Sequence, residues 1–273
     1  ITLPFLLLLL DCWPLGRWGP AAPRPGVARA AFANLVREKV PLFVLAAVIA
    51  LMTLDSRQRH GALVSLDAIP LSARLANALT AYGWYVYSAF CPFRLAALYP
   101  HRYANWSAAP ALAGALCLLL VTRFALRDAR RRPWLLTGWL WFVGALLPVI
   151  GFAQGGAQAW ADRFSYWPHV GLFVAVAWGL GEGAGRWCVP RLVSGAAAAL
   201  VLGGLAALTW VQVGYWSDSV TLWEHTLAVT QDNDRAHQHL AACYHKCGRQ
   251  AEAEAHLSLA YRIQLQRLRR AVR

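Results

Sequence analysis

The stretch Gln154–His169, QGGAQAWADRFSYWPH, concentrates the side chains best suited to chemistry. It holds an adjacent Asp162–Arg163 pair, the amides Gln154 and Gln158, Ser165, Tyr166 and His169, with apolar blocks on both sides. Arginine stays charged at physiological pH and presents a planar fork of N–H donors, a geometry that grips phosphate through two parallel bonds. Asp162 is placed to orient that guanidinium, while the amides and Tyr166 can bond phosphate or hydroxyl oxygens. Gly155 and Gly156 permit a tight turn. The competing reading is a structural ion pair that stitches the loop to neighbouring helices.

A second group, Arg74, Asn77, Tyr82, Tyr85, Tyr87, Tyr99 and His101, lies in or beside an aromatic segment. Such a segment can shape a groove for a lipid or an acceptor, or simply anchor at headgroup level. The substrate-binding candidates are therefore Arg163, Asp162, Tyr166, Gln158, Gln154 and Arg74. A third group, His239, Cys243 and Cys247, is spaced i, i+4, i+8 on one helical face. A tetrahedral metal site needs a fourth ligand at matching spacing, and none is evident, so no metal and no cofactor is predicted. The six cysteines form no disulfide framework, and four lie in or beside apolar blocks as small hydrophobes. Asp11, directly after the first apolar run, reads as a cap or anchor.

These residues must be positioned by elements that face lipid. Hydrophobic residues make up 58% of the chain and charged residues 14%, against about a quarter charged in soluble domains. The 14 tryptophans fall largely at block edges (Trp106, Trp134, Trp160, Trp167, Trp187, Trp210, Trp216), where an amphipathic ring prefers the membrane–water interface. The net charge of +13 does not indicate nucleic-acid binding. Its arginines collect in short loops between apolar blocks instead of lining one soluble face.

The apolar blocks are 1–10, about 40–54, 108–126, 134–152, 166–181 and 192–213. They predict an all-α, polytopic membrane bundle of about six spans over 1–214, the first of them truncated. Blocks 134–152 and 192–213 carry no charge and are long enough to cross. Block 40–54 is short and can gain length by tilting or by snorkelling of Arg37 and Lys39. Residues 75–93 are ambiguous. Placed on the outer surface as an interfacial helix, they leave 12 Lys and Arg residues in inward loops and six outside. Placed as a span, they give eight inside against ten outside. The positive-inside bias favours the first layout, which puts the 153–165 loop and everything after 214 on the outer side.

After Val213 the chain turns polar. Residues 234–264 predict two amphipathic helices broken at Gly248, with Leu240, Ala241 and Tyr244 facing Ala253, Leu257 and Ala260. Small residues at 241, 253 and 260 allow close approach, with Tyr244 and Leu257 filling the space between. The pattern resembles a tetratricopeptide repeat, with His237 where Trp is common. Residues 216–230 resemble the second helix of a degenerate preceding repeat, so 215–273 is a repeat region. Its candidates for holding a polypeptide are His237, Tyr244 and His245.

Several strings occur in order: ITLPFLLLLLDCWPLGRW at the start, EKVPLF at 38–43, RLANAL at 74–79 and FCPFRLAALYP at 90–100. They continue with GWLWFVGALLPVIGFAQGGAQAWADRFSYWPHVGLF at 138–173 and YWSDSVTLWEHTL at 215–227. Together they resemble the transmembrane and tetratricopeptide-repeat-containing glycosyltransferases of the GT-C superfamily, relatives of the protein O-mannosyltransferases. The resemblance implies transfer of a sugar from a polyprenyl-phosphate donor to an exoplasmic acceptor, a protein hydroxyl held by the repeats. It implies a multi-pass protein of a bacterial inner (plasma) membrane with its repeats on the periplasmic side. The superfamily's catalytic acid lies in the first exoplasmic loop, and no position in this chain matches it. The catalytic residue is expected upstream, and the chain alone is expected to be inactive. The alternative from another class is a non-catalytic membrane scaffold that presents repeats to envelope proteins.

Overall fold

The computed structural model describes residues 1–19, 25–59, 69–101, 107–151 and 158–271. Gln154, Gly155, Gly156 and Trp106 lie outside the described residues. The described secondary structure is helical, apart from one isolated β-bridge between Pro100 and Gln158. The helices are α1 (Leu3–Cys12), α2 (Pro25–Glu38), α3 (Val40–Arg59), α4 (Leu71–Phe90), α5 (Ala108–Arg127) and α6 (Pro133–Leu146). They continue with α7 (Tyr166–Arg186), α8 (Arg191–Gly214), α9 (Ser219–Val229), α10 (Asp234–Lys246) and α11 (Gln250–Ala271). Among the described residues, α3, α5 and α8 are long and apolar enough to cross a bilayer, whereas α1 and α6 are apolar but shorter.

Helix α6 stops at Leu146 after 14 residues, short of the 134–152 block read from the sequence. Pro148 is the cause: it has no N–H to donate, and its ring clashes with the carbonyl four residues back. Helix α3 runs past its apolar block to Arg59. Lys39 does not snorkel to a surface. It is buried in an ion pair with the equally buried Asp11.

The chain divides into two compact units. The first contains residues 1–84, 107–156 and 164–189. Its helices alternate in direction. Phe5 meets Phe43, and Asp11 meets Lys39, so α1 and α3 run antiparallel. Trp139 donates to Thr122 across the short turn joining α5 and α6, which are antiparallel too. Helix α7 returns along α6, with Trp141 donating to the Trp167 carbonyl and Arg132 gripping Glu182 through two nitrogens. Helix α1 lies against α6 through Leu6, Trp141 and Ala145, and Cys12 bonds Thr137.

Close approach of helix backbones holds these pairs. A Cβ on Gly138 or Gly171 would collide with the facing α7 or α6 atoms, and one on Gly114 would strike the Leu79 carbonyl of α4. Lipid tails are as apolar as leucine, so helix association in a membrane rests on such tight contact. Two clusters of ion pairs lie at one end of this unit, Asp11 with Arg17 and Lys39, and Arg132 with Asp128 and Glu182, while Asp55 and Arg59 pair at the far end of α3.

The second unit contains residues 85–106, 157–163 and 190–273. Asp218 caps α9 by accepting from the Val220 and Thr221 N–H groups, and Asn233 caps α10 by accepting from Ala236. Helices α10 and α11 form an antiparallel hairpin. Arg267 and Gln264 reach Asp234 at one end, while Arg249 covers the Tyr244 ring at the other. Leu240, Ala241, Tyr244 and Ala253 make its core, and Val220, Trp223 and Leu227 of α9 pack against them. Leu257 is not part of that core. It is exposed, and His256 faces His237 across the hairpin.

Candidate functional site

The second unit draws three of the six substrate-binding candidates into one turn. Segment 95–100 is tied to the tail helices at three points: His225 Nε2 bonds the Leu95 carbonyl at 3.0 Å, the Ala97 N–H donates to Thr226 Oγ1, and Asn233 donates to the Leu98 carbonyl. The Ala159 N–H donates to the Tyr99 carbonyl at 2.8 Å, beside the Pro100–Gln158 bridge. The Gln158 segment is thus strapped to a segment that is itself strapped to α9 and α10.

Two buried tyrosines fix the turn from beneath. Tyr85 exchanges both bonds with one peptide, its hydroxyl donating to the Ala161 carbonyl at 3.0 Å and accepting from the Ala161 N–H at 3.2 Å. The Tyr99 hydroxyl donates to Asp162 Oδ2 at 2.9 Å and accepts from the Ala96 N–H at 2.9 Å. Its ring stacks on Trp160. Burial, reinforced by the Asp162 carboxylate, pushes the Tyr99 hydroxyl well above the usual phenol range, so it remains a donor.

A single 3-10 turn, Asp162–Phe164, then exposes Arg163. Its Nη2 donates to Gln158 Oε1 at 3.0 Å. Asp162 Oδ2 thus accepts from Tyr99 while the neighbouring guanidinium donates to Gln158. Chemically, this is an exposed cation on a turn whose backbone is fixed by buried hydroxyls, an arrangement suited to receiving an anion.

Arg74 and Tyr166 belong to the first unit. Arg74 is buried, with Nε donating to the Ile69 carbonyl at 3.0 Å, and Tyr166 is exposed at the start of α7. Gln154 lies outside the described residues. Tyr82 donates to the Val143 carbonyl, Asn77 and His101 are buried, and Tyr87 is exposed. In the tail, Tyr244 donates to Glu224 at 2.6 Å, and that carboxylate pushes its hydroxyl up to about 12. His237 Nδ1 meets His256 Nδ1 at 2.9 Å, while His245 is exposed.

Sequence reasoning identified Tyr85 and Tyr99 as aromatic candidates but not as the supports of Asp162 and Ala161. Tyr85 lies 76 residues from Ala161 and Tyr99 lies 63 residues from Asp162, and no periodicity connects positions so far apart. Comparison with protein-family models, curated proteins and solved structures returns no match.

Proposed function

We propose that this chain is part of a membrane glycosyltransferase that takes a sugar from a polyprenyl-phosphate donor and passes it to an exoplasmic acceptor, a protein hydroxyl. The Gln158–Asp162–Arg163 turn receives the donor phosphate. The observation that carries this reading is the strapped turn: Arg163 is exposed while its neighbours are locked by Tyr85 and Tyr99. A fixed guanidinium loses little side-chain and loop freedom when it binds an anion. In this reading the α10–α11 hairpin is a tetratricopeptide-type unit that helps hold the acceptor, and the catalytic acid comes from a loop upstream.

The test is a transfer assay in membranes containing the full-length protein, with expression of each variant checked by blot. A charged hydrogen-bonding partner is worth enough that Arg163→Ala should lower transfer roughly 10- to 100-fold. Arg163→Lys keeps the charge but loses the fork, so it should fall between wild type and Ala. Well-expressed Arg163→Ala protein with normal transfer would return the turn to a structural role and favour the scaffold.

A further inference from the structure

The search for a second site leads to α11. Leu257, Tyr261, Leu265 and Leu268 are all exposed, from 39% to 64%. Their spacing of four, four and three places them on one side of a helix with 3.6 residues per turn. This side is distinct from the one that meets α10, where Ala253 and Ala260 are buried and Gln264 and Arg267 are bonded to Asp234. On the same helical geometry, Arg262 and Arg269 border the apolar stripe along the edge away from α10, and both are exposed. From Leu257 to Arg273 the sequence has five arginines and no acidic residue.

The chain also limits where this helix can go. Helix α8, apolar and long enough to cross a bilayer, ends at Gly214, and α9 begins at Ser219. The connection between them reaches at most about 18 Å even when extended. The Tyr215 ring stacks on His225 of α9 at 3.6 Å, which shortens it further. The helices that follow are therefore held close to the end of α8.

We propose that this face of α11 docks on an anionic lipid surface. The leucines and Tyr261 enter the interfacial layer, and Arg262 and Arg269 extend along its edge to the phosphate headgroups. Charge decides among occupants. A second copy of this chain would bring the same arginines against one another, and a protein partner would need an acidic border that a bilayer of anionic lipids supplies everywhere. The proposal does not depend on the role of Arg163.

Hydrogen–deuterium exchange on the full chain, one copy per lipid nanodisc, tests it. Discs of phosphatidylcholine alone are compared with discs in which a third of that lipid is phosphatidylglycerol. Each arginine at an anionic surface strengthens attachment about fivefold, so amides of 257–271 should exchange at least about tenfold more slowly in the anionic discs. Those of α10 should exchange alike in both, reporting that the hairpin is intact. The double variant Arg262→Glu, Arg269→Glu should erase the difference between lipids, and Leu265→Ser with Leu268→Ser should erase the protection itself. Equal exchange in the two lipids overturns the proposal. Protection that appears only when two copies share a disc also overturns it, and assigns the face to self-association.

Discussion

The Tyr99 hydroxyl makes two buried bonds at once, giving its proton to Asp162 and receiving one from the Ala96 N–H. Tyr99→Phe keeps the ring on Trp160 but leaves a carboxylate oxygen and a backbone donor without that partner. Such losses cost about 1–3 kcal/mol each, so exchange of the 158–163 amides should rise markedly while α10 is unaffected. Asp11 presents a harsher case. It is buried beside the buried Lys39 and also receives Arg17 at 3.0 Å. Asp11→Asn strands the ammonium in a poorly solvating site and should destabilise the first unit by about 3–5 kcal/mol. Replacing both partners, as Asp11→Asn with Lys39→Met, should recover most of that loss. If the double variant melts no higher in detergent than the single one, the pair is not what holds α1 to α3.

At the scale of elements, the hairpin depends on small residues. Ala253 is buried against Leu240, Ala241 and Tyr244, so Ala253→Leu should overpack the contact and cost about 1–3 kcal/mol. The same hairpin should respond to acid. His237 and His256 meet through their Nδ1 atoms, which requires at least one neutral ring. Burial first, then the neighbouring His256, holds His237 below its ordinary value of 6.5. The unfolded chain therefore binds more protons than the folded one as pH falls below that value, and the hairpin loses stability on acidification. Exchange across α10 and α11 should accelerate between neutral pH and pH about 5.5 beyond the intrinsic pH effect. His237→Gln should flatten that response; an unchanged pH response would show that the histidine pair is not responsible. These elements were unequally legible. The blocks 108–126 and 192–213 lie within a residue or two of α5 and α8, because their one proline, Pro110, sits in the first turn, where its missing N–H is not needed, and the long apolar runs outweigh their glycines. Block 134–152 overran α6 because composition outweighed Pro148, and α2 passed unread in a polar, proline-bearing stretch. Leu257 was placed inside because spacing alone gives a face and not what covers it. The strapped turn was legible only as a list of residue types, since its supports come from across the chain.

At the scale of the whole molecule, direction can be followed through contacts of the first unit alone. Helix α1 lies antiparallel to α3 and α6, and α6 antiparallel to α5 and α7. Consequently α3 finishes, and α5 begins, at the same end. Arg17, Lys39, Arg132 and Glu182 all fall at the opposite end, together with the 123–132 arginines in sequence. Positive charge marks the cytoplasmic side of short loops. A reporter fused after Arg131 should therefore be active only in the cytoplasm, and one fused after Val213 should be active as alkaline phosphatase. Both fusions are needed, since a single inverted result can reflect a displaced last span. If both report the reverse, the arginine-rich end of the first unit faces outward, and the orientation read from positive charge is overturned.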